Sequence, residues 1–464
     1  MSRVFLTRRH FLQATALSVA GGVIAACAPT AAPIGSSAGE AAPAGELIEL
    51  GYFTPDRELE NKVTAYEITN FNAKMEEEGK PYRMVNVEGP ATDNDIKTKL
   101  TLDAAAGTLP DYFSTRSELV ADFIAANYVA DLTEHLTAWD GWAHIPDTLK
   151  ELGTFDGKIY GIPGGSTFTF FRRKDVMDEA GISGDQPATW EDFFAACGEI
   201  ADKTDAIPTG LPAATPWGGG TWGEGFQMVW LGFDGPIYDE SDNKWVVSSD
   251  NLLKAFQVYE TLATNGWLTV DMLLSPNPWE PIKYQGFPAG EVILVTGGDW
   301  QWTFDWGPEG ATPIEGLYER VDRWQWPHES GTPFTYVSGG VGNMVASTTK
   351  SVDGCVEFMT YQNDVATLCE TIEIYIGGPS SRTDLAEACP AYAEAVNGKM
   401  AESSQLFTSG RTYKFDRVGA NRISDGVGRA TEDIITGVMT AEEAMEAFAT
   451  AMIQDLGEEV AKRA

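Results

Sequence analysis

The feature that most constrains the fold is a regular alternation of strand patterns and helix patterns along the chain. A compact apolar run at 47–53 is followed by a charged amphipathic segment at 59–78. A second strand pattern at 82–87 then precedes a helix pattern at 95–106, and the alternation returns with a strand pattern at 161–171. Alternating strands and helices favour a mostly parallel α/β sheet flanked by helices.

Turn and cap residues define where several of these elements end. Gly107 predicts a helix C-terminus, and Thr189 predicts the N-cap of a helix at 190–203. The acidic segment 239–244 predicts a hairpin turn rather than a calcium loop, because it lacks the glycine and the distal glutamate of an EF-hand. Residues 440–461 predict a terminal amphipathic helix.

The N-terminal segment 1–26 has the pattern of an export signal. Arginines precede an uncharged apolar run at 11–26, which is shorter than the about 20 residues that a membrane-spanning helix needs. Residues 7–13 are similar to a twin-arginine export motif, and residues 24–27 are similar to a lipobox that ends in Cys27. We predict lipidation of Cys27 and an extracytoplasmic, membrane-anchored protein. The alternative is an ordinary secretory signal with an accidental cysteine.

Composition indicates how the remainder of the chain is organised. Residues 27–46 are small and proline-rich, which predicts a flexible spacer after the lipidated cysteine. The chain has 68 acidic and 32 basic residues and a formal net charge of −36. Such a charge repels nucleic acid and anionic headgroups, so we exclude nucleic acid as a partner and expect a monomer.

Cysteine spacing and motif searches give no support for a metal, a cofactor or a catalytic site. Cys197, Cys355, Cys369 and Cys389 form no C-x-x-C pair, and three disulfide pairings are open to them. Nucleotide-binding, metalloprotease and nucleophile-elbow motifs are missing from the sequence. We therefore predict a non-catalytic protein, although paired carboxylates for glycoside hydrolysis stay open among so many acids.

Tryptophan carries the strongest indication of a ligand. Twelve of the fourteen tryptophans lie between Trp190 and Trp326, several in glycine-rich loops. An indole in a cleft can stack on a sugar ring, and we favour Trp222 and Trp300 for this role. The alternative is that about half of these tryptophans fill gaps in the hydrophobic core and contact no ligand. The polar partners that we predict for the hydroxyl groups are Glu224, Asp299, Gln301, Asp305 and Asn343.

The order of several short motifs resembles the extracellular solute-binding proteins (family 1) of ABC importers, in their carbohydrate-binding group. The motifs that carry the resemblance lie at 104–111, 126–132, 155–163, 174–190, 287–300, 338–342 and 378–382. The resemblance implies a type II periplasmic-binding-protein fold, with two α/β lobes joined by crossover strands that act as a hinge. It assigns 47–162 plus about 326–378 to one lobe and 163–325 plus about 379–464 to the other.

The resemblance also implies ligand contacts by position. These contacts lie directly after the 104–111 motif, at 164–167 after the first crossover strand, at Trp222 and Trp300, and in the glycine loop at 338–340. Together with the polar candidates above, the predicted ligand-binding residues are Asp111, Arg116, Gly165, Ser166, Trp222, Glu224, Asp299, Trp300, Gly339 and Gly340. The two last glycines either offer backbone amides to the ligand or only permit a tight turn.

One departure from the family pattern concerns the charge of the ligand. Arg172 and Arg173 precede Lys174 where the family usually has Tyr-Asn, and three adjacent cations could attract an anionic sugar. The other interpretation pairs one arginine with a carboxylate and leaves the rest solvated. We predict a carbohydrate-binding subunit that delivers its ligand to an ABC permease. The alternatives are an exported carbohydrate-active enzyme, or the same fold with an anionic or phosphorylated polyol.

Overall fold

The computed structural model describes residues 46–115, 117–415 and 417–464. The predicted signal segment 1–26, Cys27, and most of the spacer lie outside the described residues, as does Arg116. Residues 47–464 form a single unit. No helix among the described residues combines the length and the apolar character needed to cross a membrane.

Fourteen strands are present in the described residues. In chain order they are β1 Ile48–Thr54, β2 Tyr82–Glu88, β3 Tyr112–Phe113, β4 Thr154–Phe155, β5 Lys158–Ile159, β6 Pro163–Arg173, β7 Ile207–Thr209, β8 Tyr238–Asp239, β9 Lys244–Ser248, β10 Val292–Gly297, β11 Val321–Trp324, β12 Tyr336–Val341, β13 Met344–Val345 and β14 Ala461–Arg463.

The helices surround these strands. In chain order they are α1 Glu58–Glu77, α2 Asp93–Ala106, α3 Ser117–Ala125, α4 Thr133–Ala138, α5 Asp147–Leu152, α6 Lys174–Glu179, α7 Trp190–Lys203, α8 Gly219–Thr221, α9 Gln227–Leu231, α10 Asp250–Thr264, α11 Val270–Leu273, α12 Phe287–Ala289, α13 Leu317–Arg320, α14 Val352–Gln362, α15 Val365–Ile372, α16 Leu385–Ala388, α17 Pro390–Glu394, α18 Lys399–Leu406, α19 Ala420–Ile435 and α20 Ala441–Leu456. The segments 140–144, 299–302 and 395–398 are 3₁₀-helical, and 222–226 and 280–286 are π-helical.

Two larger sheets organise the molecule. The first sheet has the strand order β13-β3-β1-β2, and the second has the order β11-β6-β10-β7. β1 runs parallel to β2 and β3, and β10 runs parallel to β7, whereas β6 is antiparallel to its neighbours. Separate hydrophobic cores pack around the two sheets. The predicted α/β class is therefore confirmed.

Strands β6 and β12 form an antiparallel ribbon that connects the two sheets. The second part of β6 belongs to the second sheet, whereas its first part pairs with β12 from Pro163 to Phe168. β12 is followed closely by β13 of the first sheet. In this ribbon Gly165 faces Gly339 and Gly164 faces Gly340, so the predicted ligand-binding glycines pair with glycines rather than stand free.

Local sequence patterns predicted most ends of the helices and strands correctly. Thr189 caps α7 and forms a capping box with Asp192, and Gly107 ends α2 in the left-handed conformation. The 239–244 segment is a hairpin turn between β8 and β9, as predicted. The prediction of one helix at 440–461 is wrong at its end. Gly457, with φ +85°, follows the last helical residue, and residues 461–463 form a strand beside β9.

The predicted lobe boundaries stay a prediction, and one local packing contact crosses them. Phe407 belongs to the sequence range assigned to the second lobe, yet it packs in the core of the first sheet. Its carbonyl accepts a hydrogen bond from Thr148 at 2.5 Å. Cys369 and Cys389 form a disulfide, whereas Cys197 and Cys355 are buried free thiols, so none of the three pairings that would use all four cysteines is complete.

The glycines of the ribbon allow a matched test of close packing. A Cβ atom at Gly339 would lie 2.8 Å from side-chain atoms of Leu149 and Leu152, whereas a Cβ atom at Gly164 has no neighbour within 4 Å. We expect Gly339→Ala to lower the free energy of unfolding by about 1–3 kcal/mol and Gly164→Ala to change it by less than about 0.5 kcal/mol. Urea denaturation of both variants measures the difference. Equal effects would show that the packing against α5 does not require glycine.

Candidate ligand-binding site

A cavity of about 460 Å³ lies between segments that follow strands of the first sheet and a loop on the second-sheet side. β1 and β2 are parallel, so their carboxyl ends share one edge, which is the usual place for ligands in α/β folds. The volume falls within the range of small-molecule sites, roughly 300–1,000 Å³. The residues that line the cavity are Asp56, Arg57, Glu58, Leu59, Ala91, Phe304, Glu309, Gly310 and Ala311.

A second hollow, of about 690 Å³, lies on the surface of α20. All of its lining residues belong to that one helix, between Glu442 and Gln454. A groove on a single helix does not offer convergent groups from several elements, which small-molecule sites need. The cavity at the carboxyl ends of β1 and β2 is therefore the stronger candidate.

Arg57, which immediately precedes α1, forms the first-sheet wall of the cavity. Its Nε donates to the Ala91 carbonyl at 3.3 Å, and its Nη1 donates to Glu60 Oε1 at 3.4 Å. Burial raises the pKa of Tyr375 to about 12, and the positive charge of Arg57 opposes this rise. The same charge acts on the buried Tyr284 of the second-sheet side. The side chains of Tyr284 and Tyr375 therefore lie close enough to Arg57 for its positive charge to lower their pKa values.

Two π-helices on the second-sheet side form a polar wall that is not part of the cavity lining. Glu224 lies in the π-helix at 222–226 and Lys283 in the one at 280–286. The Lys283 ammonium binds Glu224 Oε2 at 2.6 Å and lies 5.4 Å from the ring centre of Trp217. π-Helices are rare and occur often at functional sites, where they direct side chains that an α-helix would not bring together.

Asp305 is the buried acid of this wall. Its side chain is 2% exposed, and burial raises its pKa to about 7. The positive charge of Lys283 and a hydrogen bond with Tyr284 lower this pKa, whereas the negative charge of Glu224 raises it. Because burial outweighs the lysine, the Asp305 carboxyl takes up a proton near neutral pH.

Asp299, a predicted ligand-binding residue, is instead the centre of an internal hydrogen-bond network. It is 0% exposed, and its carboxylate accepts from the Thr167 amide at 2.6 Å and from Ser403 Oγ at 2.6 Å. Ser166 Oγ donates to the same carboxylate at 3.1 Å, and Arg323 Nη1 lies 3.3 Å away. The network joins β6, β11, α18 and the 3₁₀-helix at 299–302, so Asp299 and Ser166 hold the base of the ribbon.

The remaining predicted site residues do not line the cavity. Trp222 is 5% exposed and packs edge-on against Phe415 at 4.9 Å in the core of the second sheet. Trp300 is half-buried against Phe168. The Asp111 carboxylate accepts hydrogen bonds from the Gly51 amide and from Thr349, at 2.8 and 2.7 Å.

These placements show what the predicted residues contact, and their role in ligand binding stays a prediction. The indole of Trp222 has ring neighbours that fill its surroundings, and Asp111 ties the first sheet to a neighbouring loop. Glu224 pairs with Lys283, and neither residue is among those that line the cavity. Arg116 lies outside the described residues.

Both arginines of the cationic triplet serve the fold of the second sheet. Arg172 Nη2 binds Asp322 at 2.9 Å, and its guanidinium lies 5.3 Å from the Trp324 ring centre. Arg173 binds the Asp175 carboxylate with two nitrogens, at 2.9 and 2.7 Å. The interpretation that pairs one arginine with a carboxylate is therefore confirmed, but its expectation that the other arginine is solvated is wrong, because both are buried and paired.

The acidic turn between β8 and β9 binds a cation from the chain itself. Lys462 Nζ on β14 lies 2.6 Å from Asp239 Oδ2 and 3.0 Å from Asp242 Oδ2. Within residues 46–115, 117–415 and 417–464, no group of three or more His, Cys, Asp or Glu side chains is placed to hold a metal ion. The carboxylates of the turn thus stabilise the contact between β14 and the hairpin.

The residues that line the cavity were not predicted from the sequence. Arg57 follows the predicted turn at the end of β1, and the rule that ligands bind at the carboxyl ends of parallel strands would have pointed to it. Phe304 and Tyr375 lie in irregular segments with no local pattern. Lys283 reaches Glu224 only because both segments adopt π-helical turns, which no spacing rule predicts.

Two sheets joined by a ribbon, with a cavity between them, form an arrangement that can enclose a small solute. The family model for "Bacterial extracellular solute-binding protein" matches residues 68–400. The chain therefore belongs to the bacterial extracellular solute-binding protein family. This family consists of binding proteins, and membership favours the predicted non-catalytic role over an exported enzyme.

Relatives and solved structures agree with this assignment. The chain is 29% identical over 235 residues to a probable sugar-binding periplasmic protein of Mesorhizobium japonicum, a match that covers 49% of this chain and 52% of that protein. It is 24% identical to an arabinooligosaccharide-binding protein of Halalkalibacterium halodurans, over 44% of each chain. The chain thus spans about half the length of the curated relatives that it matches.

The fold is that of a type II periplasmic binding protein, as predicted. The GacH receptor of Streptomyces glaucescens, solved unliganded and with acarbose, superposes with a TM-score of 0.71 at 19% identity, over 89% of this chain and 99% of that chain. Maltose-bound MalE3 of T. maritima gives a TM-score of 0.71 at 18% identity, over 88% and 100%. At such identities the likeness establishes the fold alone.

The buried Asp305 predicts a specific pH dependence of stability. Its pKa in the folded protein is about 7, above the ordinary value of 3.8, so ionisation costs folding free energy as the pH rises towards 7. We expect the free energy of unfolding of Asp305→Asn to rise relative to the unmodified protein by roughly 2 kcal/mol between pH 5 and pH 8. Urea denaturation across this range measures the difference.

A control separates this effect from other titrations. Glu67, whose pKa burial raises to about 7, contributes equally to both proteins and cancels in the difference. Asp178→Asn, on the exposed side of α6, should give a constant difference across the same range. A flat profile for Asp305→Asn would contradict the burial of an ionisable carboxyl in this wall.

Proposed function

We propose that the protein captures a carbohydrate in the cavity between the two sheets and delivers it to the permease of an ABC importer. The observation that carries this proposal is the cavity itself, lined by charged groups from one side and by an aromatic ring from the other. Phe304 offers an apolar face for a sugar ring, and Arg57 and Glu309 offer hydrogen bonds to hydroxyl groups.

A ligand in this position would favour one arrangement of the two sheets. It contacts residues of both sides, so it stabilises the closed state more than any state in which one side has moved away. The facing glycine pairs of the ribbon support a bending point at that place, because glycine restricts the backbone least. In this proposal the regions assigned to lobes, 47–162 plus about 326–378 and 163–325 plus about 379–464, move as two bodies.

The relatives support a carbohydrate as the ligand. Both curated relatives carry sugar-binding names, and the GacH structure contains acarbose. We place the ligand against Phe304, Arg57 and Glu309, which line the cavity. The predicted residues Gly165, Gly339 and Gly340 act in the ribbon, and Ser166 and Asp299 act at its base.

The sugar-binding proposal is tested by ligand-induced stabilisation. We expect the melting temperature to rise with one or more neutral or amino-group-bearing mono- or oligosaccharides, and less with uronates or glycerol phosphates. Phe304→Ala should weaken binding about tenfold or more in titration calorimetry, because the ring face is lost. Phe194→Ala, a half-buried aromatic remote from the cavity, serves as the matched control.

Two outcomes would contradict this proposal. Stabilisation by none of the carbohydrates would argue against a sugar ligand. Equal affinities of Phe304→Ala and Phe194→Ala for a sugar that binds would place the ligand elsewhere in the molecule.

We further propose that the chain is exported by its twin-arginine-like signal and anchored by a lipid on Cys27, as an otherwise monomeric receptor. A diacylated cysteine supplies two acyl chains, the number that stable attachment requires. The spacer to Glu46 then keeps the receptor close to its permease and raises its local concentration there.

The anchor is tested by fractionation. We expect the unmodified protein in the membrane fraction and Cys27→Ser in the aqueous fraction, because the acceptor of the lipid is lost. Cys197→Ser, which removes a buried thiol of the folded body, should stay with the membrane. Retention of Cys27→Ser in the membrane fraction would contradict a lipid at this residue.

A further inference from the structure

Helices α2 and α3 of the first-sheet side contact the start of helix α19 of the second-sheet side. Ile96 and Leu100 on α2 and Phe123 on α3 pack in the core around the first sheet. Ile423 and Val427 on α19 pack in the core around the second sheet. Each helix is therefore held to its own sheet, and a contact between these helices joins the two sides directly.

The first of these contacts is a hydrogen bond between side chains. The Lys97 ammonium on α2 donates to the carboxamide oxygen of Asn421 on α19, and the contact is partly buried. A hydrogen bond with a charged donor is stronger than one between two neutral groups. This single pair can therefore contribute measurably to holding the two sides together.

Two further contacts lie along the same boundary. The Asp122 carboxylate on α3 accepts a hydrogen bond from the amide of Gly419, directly before α19, and the positive charge of Arg422 acts on the same carboxylate. On α2, Asn94 Oδ1 lies 3.1 Å from the place that a Cβ atom at Gly218 would take, so this carboxamide rests against the backbone of the glycine. Three separate contacts thus close the boundary.

The boundary begins beside the candidate cavity without using the residues that line it. Ala91 lines the cavity and directly precedes Thr92, which caps the N-terminus of α2. Asn94 and Lys97 follow in the first two turns of this helix. A ligand in the cavity and the contacts of α2 with the second-sheet side therefore act on the same two bodies.

These contacts differ from those of the ribbon in their response to movement. β6 and β12 are paired along the ribbon itself, so their pairing persists when the two sides turn about it. The contacts made by Lys97 and Asp122 join the two sides away from the ribbon, and they break when the sides separate. An interaction that exists in only one of two states shifts the equilibrium towards that state.

We propose that these contacts act as a latch, which holds the two sides together before a ligand arrives. The latch consists of the pairs Lys97–Asn421, Asp122–Gly419 and Asn94–Gly218. Lys97 and Asn421 are positioning residues, because they set the fraction of closed receptor without touching the ligand. The apparent affinity for a ligand that needs the closed arrangement rises with this fraction. The inference rests on the movement of two bodies in the proposed function, and it holds for any solute.

Distance measurements on the unliganded receptor test the latch. Spin labels on Glu76→Cys of α1 and Asp202→Cys of α7 report the separation of the two sides, and both positions are exposed. All proteins also carry Cys27→Ser, and the free thiols Cys197 and Cys355 are buried, so the labels attach to the new cysteines. We expect double electron–electron resonance to give a main population at the separation found in the structure.

A matched pair of lysine variants isolates the latch. Lys97→Met removes the donor to Asn421. Lys99→Met removes the same charge two residues further along α2, where the lysine pairs with Asp103 of its own helix at 2.7 Å. We expect Lys97→Met to raise the ratio of longer to closed distances about three- to tenfold, the shift that the loss of one hydrogen bond produces. Lys99→Met should leave this ratio unchanged.

Asn421→Asp tests the same contact in the opposite direction. A carboxylate in place of the amide converts the hydrogen bond into an ion pair with Lys97, so the ratio of longer to closed distances should fall. The combination of Asn421→Asp with Lys97→Met should lose this effect, because the cation is gone.

The outcomes separate the latch from the proposed function. If Lys97→Met leaves the distances unchanged, or if Lys99→Met shifts them as much, the latch does not hold the two sides and the inference is wrong. A parent receptor with no population at the closed separation would also overturn it, and would leave carbohydrate binding intact. The proposed function fails in a different measurement, in which no carbohydrate raises the melting temperature.

Discussion

The arrangement of the two sheets depends on one buried carboxylate. Asp299 has no contact with solvent, and its carboxylate accepts hydrogen bonds from Ser166 and Thr167 of β6, from Ser403 of α18 and from Arg323 of β11. Through the Thr167 amide and Ser166 it holds β6 immediately after the glycine pairs, where the ribbon enters the second sheet. A desolvated charge needs this complete set of donors, so the network holds the base of the ribbon in place.

The candidate cavity combines charged and apolar groups from the two sheet sides. Its walls come from the ends of parallel strands on one side, and from irregular turns on the other. Glu224 and Lys283 are brought together by two π-helices, which position a charged pair where neither helix alone would.

Local signals in the sequence were sufficient for the secondary structure and the fold class, but not for the site. Thr189 and Gly107 act through their immediate neighbours, so their roles as caps could be predicted. Trp222 could not be placed, because its burial depends on Phe415, which is distant in sequence. Asp299 was predicted as a ligand-binding residue, yet the hydrogen-bond partners of its carboxylate come from separate elements, and only the structure shows that they are internal.

The disulfide between Cys369 and Cys389 has a consequence for the stretch of chain after α15. Cys389 is buried in the core of the second sheet, and Cys369 packs against the same core. The bond closes a covalent ring over residues 369–389, so the two ends of this stretch cannot leave that core separately. The stretch is therefore fixed to the second-sheet side as one covalently closed loop.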